Sequence, residues 1–301
     1  MNKPNSMRWY LPILLLTVLA ACQTDAPVAE EEGPPSTDIW LFSISDDGFE
    51  LRTRVTDWKG YDNQPMFTEN SEQMLFTSDR AGRSNTHLYD IDSGSISQLT
   101  FTEADKYSPT PIPDSNGLLF SVVHSDSSAF QELWQYALDD SIEPSRIVEV
   151  DAVAYYTWVG VDEVLFWRLG EPNTLQLLNV ASADTTVLAE GSVYSLHHIP
   201  GEAASAFIYS KGDETPLINR YDWGTRETTL LAPSIEGGRY FCVAPNGDLL
   251  MLDGGTLLSF TPGVSNEWTV RAELSITGGT RLAVSPDGKL LAVVGEETSE
   301  E

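Results

Sequence analysis

Val284-Ser285-Pro286-Asp287-Gly288-Lys289-Leu290-Leu291-Ala292-Val293-Val294 is one of six related segments in this 301-residue chain. Two other clear copies are Val243-Ala244-Pro245-Asn246-Gly247-Asp248-Leu249-Leu250-Met251-Leu252 and Pro111-Ile112-Pro113-Asp114-Ser115-Asn116-Gly117-Leu118-Leu119-Phe120. Fainter copies stand at Phe67-Thr68-Glu69-Asn70, Trp158-Val159-Gly160-Val161-Asp162 and His198-Ile199-Pro200-Gly201. Their first residues are 67, 111, 158, 198, 243 and 284, spaced 44, 47, 40, 45 and 41 residues apart.

A period in this range marks a ring of four-stranded sheets, one per repeat. In each clear copy a short apolar run meets Pro and then Asp-Gly or Asn-Gly, a pair that accepts the positive φ of a tight hairpin. The next run, such as Met74-Leu75-Phe76 or Val164-Leu165-Phe166-Trp167, lacks polar alternation and reads as a strand buried on both faces. A third strand follows, as in His87-Leu88-Tyr89, and then a more polar fourth, as in Thr185-Thr186-Val187-Leu188. We letter these strands a to d from the centre outward. The sixth copy stops after strand b, at about Gly295, while Asp38–Ile44 and Phe49–Val55 read as strands c and d ahead of the first strand a. The expectation is an all-β, six-bladed propeller of antiparallel blades over residues 38–295, its last blade closed by the N-terminal strands. Closure avoids a long unpaired edge and unburied blade faces.

Asn63-Gln64-Pro65-Met66-Phe67, Met74-Leu75-Phe76-Thr77-Ser78-Asp79-Arg80-Ala81-Gly82 and His87-Leu88-Tyr89-Asp90-Ile91-Asp92 resemble the repeat of TolB-type propellers, also called WD40-like or PD40 repeats. The same repeat occurs in propellers of dipeptidyl-peptidase and prolyl-oligopeptidase proteins. The resemblance covers nearly all of the expected mature chain and implies the fold rather than one activity, since one fold hosts many functions. Two departures are expected: no α/β domain ahead of the propeller, as TolB has, and no α/β-hydrolase domain behind it, as the peptidases have.

Lys3 and Arg8 precede an apolar stretch, Tyr10–Ala21, of signal-peptide length and too short for a membrane span. Leu19-Ala20-Ala21-Cys22 resembles a bacterial lipobox, which implies a signal peptide over 1–21 and lipidation of Cys22. Gln23 in place of Asp implies, by resemblance to Gram-negative sorting rules, the outer membrane. Residues 22–37 read as the lipidated Cys and a tether, whose Pro residues and Glu30-Glu31-Glu32 offer no core. Its fifteen residues after Cys22 reach roughly 45 Å at about 3.1 Å each. The tail 296–301 reads as acidic and disordered. Cys242 is the one remaining cysteine, so no intramolecular disulfide is expected, and its place in a strand a reads as a packed small hydrophobe.

Beyond the leader, 15 basic residues face 45 acidic ones, a net charge of −30. That argues against nucleic acid and anionic membrane surfaces as partners. A saline habitat or a cationic partner or metal would both explain it. The dispersed acids, without D-x-D-x-D-G spacing, favour the first. No nucleophile elbow, H-E-x-x-H, P-loop or G-x-G-x-x-G occurs, so no catalytic residue, metal site or cofactor is assigned. His197 and His198, as strand neighbours, should point to opposite faces. Just ahead of the six strands a stand Asn63, Tyr107, Tyr155, Tyr194, Arg239 with Tyr240, and Arg281. The b–c connections on the same face add Arg80, Arg83, His124, Arg168 and Lys211, among acids such as Asp79 and Asp213. Tyr and Arg are the usual anchors of interfaces. The candidate binding residues are therefore Tyr107, Tyr155, Tyr194, Arg239, Tyr240, Arg281, Arg80 and Arg168. The alternative is that the tyrosines pack the seams between blades. The functional expectation is a monomeric, lipid-anchored envelope propeller that binds a protein, peptide or glycan. A carbohydrate- or peptide-processing enzyme using the same funnel is the alternative.

One outcome checks the anchor. Cys22→Ser should move the folded protein from the membrane to the soluble fraction on fractionation, because lipid chains supply the attachment. Retention of the variant in the membrane would overturn the lipobox reading.

Overall fold

The computed structural model describes residues 36–80, 82–126, 130–139, 141–212 and 214–296. Cys22, the leader, most of the tether, Asp213 and the tail after Glu296 lie outside the described residues. Every regular element among the described residues is a strand, and the strands form six antiparallel four-stranded sheets.

Blade 1 runs Asp62–Phe67, Gln73–Asp79, Ser84–Asp90 and Ile96–Gln98, in the order a to d. Blade 2 is Asp105–Pro111, Leu119–Ser125, Gln131–Ala137 and Ser145–Arg146. Blade 3 is Val153–Val159, Glu163–Arg168, Thr174–Asn179 and Thr185–Glu190. Blade 4 is Ser192–His198, Ala204–Ser210, Leu217–Asp222 and Thr228–Pro233. Blade 5 is Cys242–Val243, Leu249–Asp253, Thr256–Phe260 and Thr269–Glu273. In blade 6, Leu282–Val284 and Leu290–Glu296 are strands a and b, and Thr37–Ser45 and Gly48–Arg54 are c and d.

Two boundaries differ from the sequence reading. Thr37 belongs to the strand rather than the tether and Glu296 to the strand rather than the tail, because the two pair with each other at the end of the ladder. Thr37 also bridges to Tyr61 and donates its backbone N–H to Gly60 O at 2.9 Å, joining blade 6 to blade 1.

The b strands carry the burial. Met74, Leu75 and Phe76 are fully buried, as are Val164, Leu165 and Phe166. Successive side chains point to opposite faces of the sheet, so each such strand feeds two cores. Leu75 joins Phe120, Val122 and Tyr136 of blade 2, while Met74 and Phe76 join Ile39, Leu41 and Ala292 of blade 6. Equivalent apolar clusters fill the other four seams. Cys242 packs in the seam between blades 5 and 6, and burial pushes its thiol up to about 12, which leaves it an unreactive thiol at neutral pH. Asp38, buried in the closing strand, is paired with Arg54, whose guanidinium lies over Trp40 at 5.6 Å.

Phe42 sits in the N-terminal strand yet is only 2% exposed, packed in the seam against blade 5. Phe42→Ala should cost about 3–5 kcal/mol by chemical denaturation, the range for a large aromatic lost from a core. A cost below about 1 kcal/mol would mean that the N-terminal strands do not hold the ring.

Candidate functional site

Four of the innermost strands are interrupted by bulges. Pairing shifts register between Asn63 and Met66, Tyr107 and Thr110, Val153 and Tyr156, and Val193 and Ser195. A bulge inserts unpaired residues and re-aims a side chain. In blades 1 and 2 it contains Pro65 or Pro109, which have no N–H for the ladder. Gln64 and Ser108, just before these prolines, take left-handed φ angles of 58° and 52°. Gln64 Oε1 accepts from the Thr77 hydroxyl at 2.7 Å and the Ser108 backbone N–H at 2.8 Å, which ties the two blades at the channel wall. In blades 3 and 4 the bulges hold Tyr155 and Tyr194, and both rings line the channel.

The upper end of the channel is a chamber of about 80 Å³ lined by Gln64, Tyr155, Tyr194, His197, Tyr240 and Arg281 among others. The Arg281 guanidinium donates to Asn63 Oδ1 at 2.9 Å and to the Tyr61 and Tyr155 hydroxyls at 3.2 Å each. It lies over the Tyr240 ring at 4.2 Å and the Tyr155 ring at 5.8 Å. Burial holds the Tyr61 and Tyr155 hydroxyls above the ordinary phenol range, so both are neutral at pH 7. Among the described residues Arg281 has no carboxylate partner. Tyr155 stacks on Trp167 at 5.9 Å, and the Trp167 indole donates to Gly191 O at 3.1 Å. Gly191 also lets the neighbouring strand come close, since a Cβ there would stand 2.6 Å from Ser210 O. The exposed Arg239 lies over the Tyr194 ring at 5.0 Å.

Sequence reasoning missed the pair Ser195 and His197, whose Oγ and Nε2 are 2.8 Å apart at the channel wall. Their i, i+2 spacing on one strand places both on the same face, and that was the available signal. His197 meets Phe241 edge-on at 4.9 Å. Burial pushes its pKa down to about 4, so it is neutral at pH 7. His198 lies at the lower end of the channel, stacking on Trp223 at 5.0 Å and donating to Glu202 O at 2.8 Å.

The remaining candidates do not reach the channel. Tyr107 is held in the ladder opposite Val123 and packs in the seam between blades 2 and 3. Arg80 donates to Ser78 Oγ at 2.9 Å and stacks over the exposed Trp58 at 3.8 Å. Arg168 pairs with Asp151. Arg83 lies 3.9 Å from Asp105, and His124 stacks on Trp134 at 4.5 Å. Lys106 is fully buried, donating to the Thr102 hydroxyl and the Ala104 carbonyl, and burial pushes it down to about 8. Among the described residues no group of three or more His, Cys, Asp or Glu is arranged to hold a metal ion.

Below, on the side of the a–b turns, the channel widens to about 470 Å³. Met66, Trp158, Leu282 and Val243 line it, with Pro113, Pro200 and Pro286 from the repeat turns.

No family model and no curated protein matches this sequence. Solved structures do match in fold. TolB from Acinetobacter baumannii superposes with a TM-score of 0.58 at 13% identity, covering 88% of this chain and 65% of that one. A putative TolB from Agrobacterium tumefaciens gives 0.65 at 14% identity, covering 87% and 99%. An oligogalacturonate lyase in complex with manganese gives 0.55 at 13% identity, covering 81% and 79%. Oligogalacturonate lyase from Vibrio parahaemolyticus gives 0.53 at 13% identity, covering 86% and 97%. The chain thus has a TolB-like propeller fold and spans 65% of the A. baumannii protein's length.

The neutral His197 sets a pH response. Its folded pKa of about 4 lies below the ordinary value of 6.5, so between these pH values the unfolded chain binds the proton. Stability from this group is present above pH 6.5 and is lost as pH falls towards 4. His87, also at about 4, acts in the same sense, and Asp62, which burial raises to about 6, acts in the opposite one. His197→Phe should therefore flatten the fall in Tm between pH 6.5 and 4 relative to wild type. An unchanged slope would show that His197 titrates normally in the folded protein.

Proposed function

We propose that this chain is a lipid-anchored propeller of the bacterial cell envelope, held at the outer membrane through Cys22, that engages a protein, peptide or glycan partner at its channel mouth. The observation that carries the reading is the convergence of Tyr155, Tyr194, Tyr240, Arg239 and Arg281 at one end of the channel, with no carboxylate paired to either arginine among the described residues. On a surface this acidic, a carboxylate-free ring of aromatic and cationic groups is the exception, and such groups dominate binding energy. The TolB fold neighbours support the envelope setting.

A second reading, a carbohydrate-processing enzyme, draws on the oligogalacturonate lyase neighbours and on the Ser195–His197 pair. The manganese of that neighbour does not fit the described residues here, which offer no three-ligand cluster. His197 is a weak base at a pKa of about 4, far from the value that serves general-base catalysis at neutral pH.

Tyr194→Ala with Arg239→Ala should abolish partner capture by the lipidated protein in its own membranes, detected by crosslinking. Stability should change by within about 1 kcal/mol for the exposed Arg239 alone. Undiminished capture by a folded double variant, or turnover of oligogalacturonate to unsaturated products by the wild type, would overturn the binding reading.

A further inference from the structure

The upper and lower chambers are two parts of one channel. Met66, Thr110, Tyr156, Leu196, His197 and Leu282 line both. The two ends differ in chemistry. The upper end presents a guanidinium held by neutral oxygens only, two from phenols and one from an amide. Arg281 is half-buried, and a cation withdrawn from water is ordinarily met by an anion. Arg281 is fixed by three acceptors and backed by the Tyr240 ring, so its orientation is set before any ligand arrives. Guanidinium is also the side chain best matched to a carboxylate, which it binds through paired donors. The lower end offers methionine, leucine, valine and tryptophan side chains, and its volume of about 470 Å³ falls within the roughly 300–1,000 Å³ of ligand pockets, which are mostly apolar with a few placed polar groups.

We infer that the channel binds a small amphiphilic monocarboxylate, its carboxylate paired with Arg281 in the upper chamber and its apolar body in the lower one. A medium-chain fatty acid and the C-terminal carboxylate of an apolar peptide share this chemistry. The pairing adds an anion to weak acceptors at a half-buried site, where a charge pair is stronger than in bulk water. The protein's net negative charge works against anions at long range, so recognition rests on the local guanidinium rather than on steering. The inference rests on the channel being a binding site, as proposed above. It is separable from that reading because it concerns Arg281 and a soluble probe, whereas partner capture is tested at Tyr194 and Arg239.

The test is calorimetric titration of the full chain, purified in mild detergent, with octanoate and octanamide, and with N-acetyl-Leu-Leu and its C-terminal amide. At least one acid should bind tenfold or more tighter than its own amide, and the acid that does so names the source of the ligand. Arg281→Gln should collapse that ratio to within twofold, and Arg281→Lys should retain part of it. If each acid and its amide bind alike, or if a folded Arg281→Gln variant keeps the full ratio, the inference fails. Should the Gln variant not fold, the wild-type acid-to-amide ratios decide alone.

Discussion

A blade whose second strand is apolar on both faces cannot be stable by itself, and the whole architecture follows from that constraint. Met74 and Phe76 need the neighbour on one side, and Leu75 needs the neighbour on the other. Stacking blades satisfies every seam except those at the two ends of an open array. Closing the ring removes these ends, and the chain does so by lending Thr37–Ser45 and Gly48–Arg54 to the sheet begun by its last residues. The apolar contribution is distributed over six similar seams rather than one central core. The middle of the ring is consequently free to be a channel lined with polar and aromatic groups.

The channel takes its chemistry from irregularity in the innermost strands. A regular strand a would show the channel one side-chain row and the seam the other. The bulges break that alternation. Pro65 and Pro109 force it in blades 1 and 2 and admit Gln64 and Ser108, while in blades 3 and 4 the extra residue is a tyrosine. Two of these bulges are strained as well, since Gln64 and Ser108 occupy the left-handed region without being glycine. The Gln64 side chain compensates by satisfying Thr77 and the Ser108 amide together.

The fold was legible because its signals are local and repeated. The anchors at 67, 111, 198, 243 and 284 are each the last residue of a strand a, and in all of these but the first the Pro and Gly of the turn stop the ladder. Local sequence leaves residues 37 and 296 outside the fold because they pair with each other from opposite ends of the chain, which no local pattern reveals. The site was legible only in part. Tyr107, Tyr155 and Tyr194 look equivalent in sequence, each near the start of a strand a. Tyr107 stays in the ladder opposite Val123 because the bulge in blade 2 falls one residue later, at Ser108-Pro109. Tyr155 and Tyr194 are themselves inside the bulge, so they turn into the channel. Arg80 and Arg168 lie at the outer ends of b strands, where Trp58 and Asp151 are the nearest partners for a guanidinium.

The charge distribution gives the channel its distinct character. Most of the arginines outside it are paired with nearby carboxylates, as Arg54, Arg146, Arg168, Arg220 and Arg226 are. Apart from the pair to the buried Asp38, these lie at the surface, where such pairs contribute little to stability. Arg281 is the contrary case. It is surrounded by three tyrosines and an asparagine instead of acids. Burial opposes its charge, yet a guanidinium's ordinary value lies so far above neutral pH that it stays protonated. A purely structural role at this position would be served by an apolar residue or by a neutralised pair, both of which avoid burying a lone cation. A fixed cation among neutral acceptors in a channel, on a chain with 45 acidic and 17 basic residues, departs from the carboxylate pairing that most of the other described arginines follow.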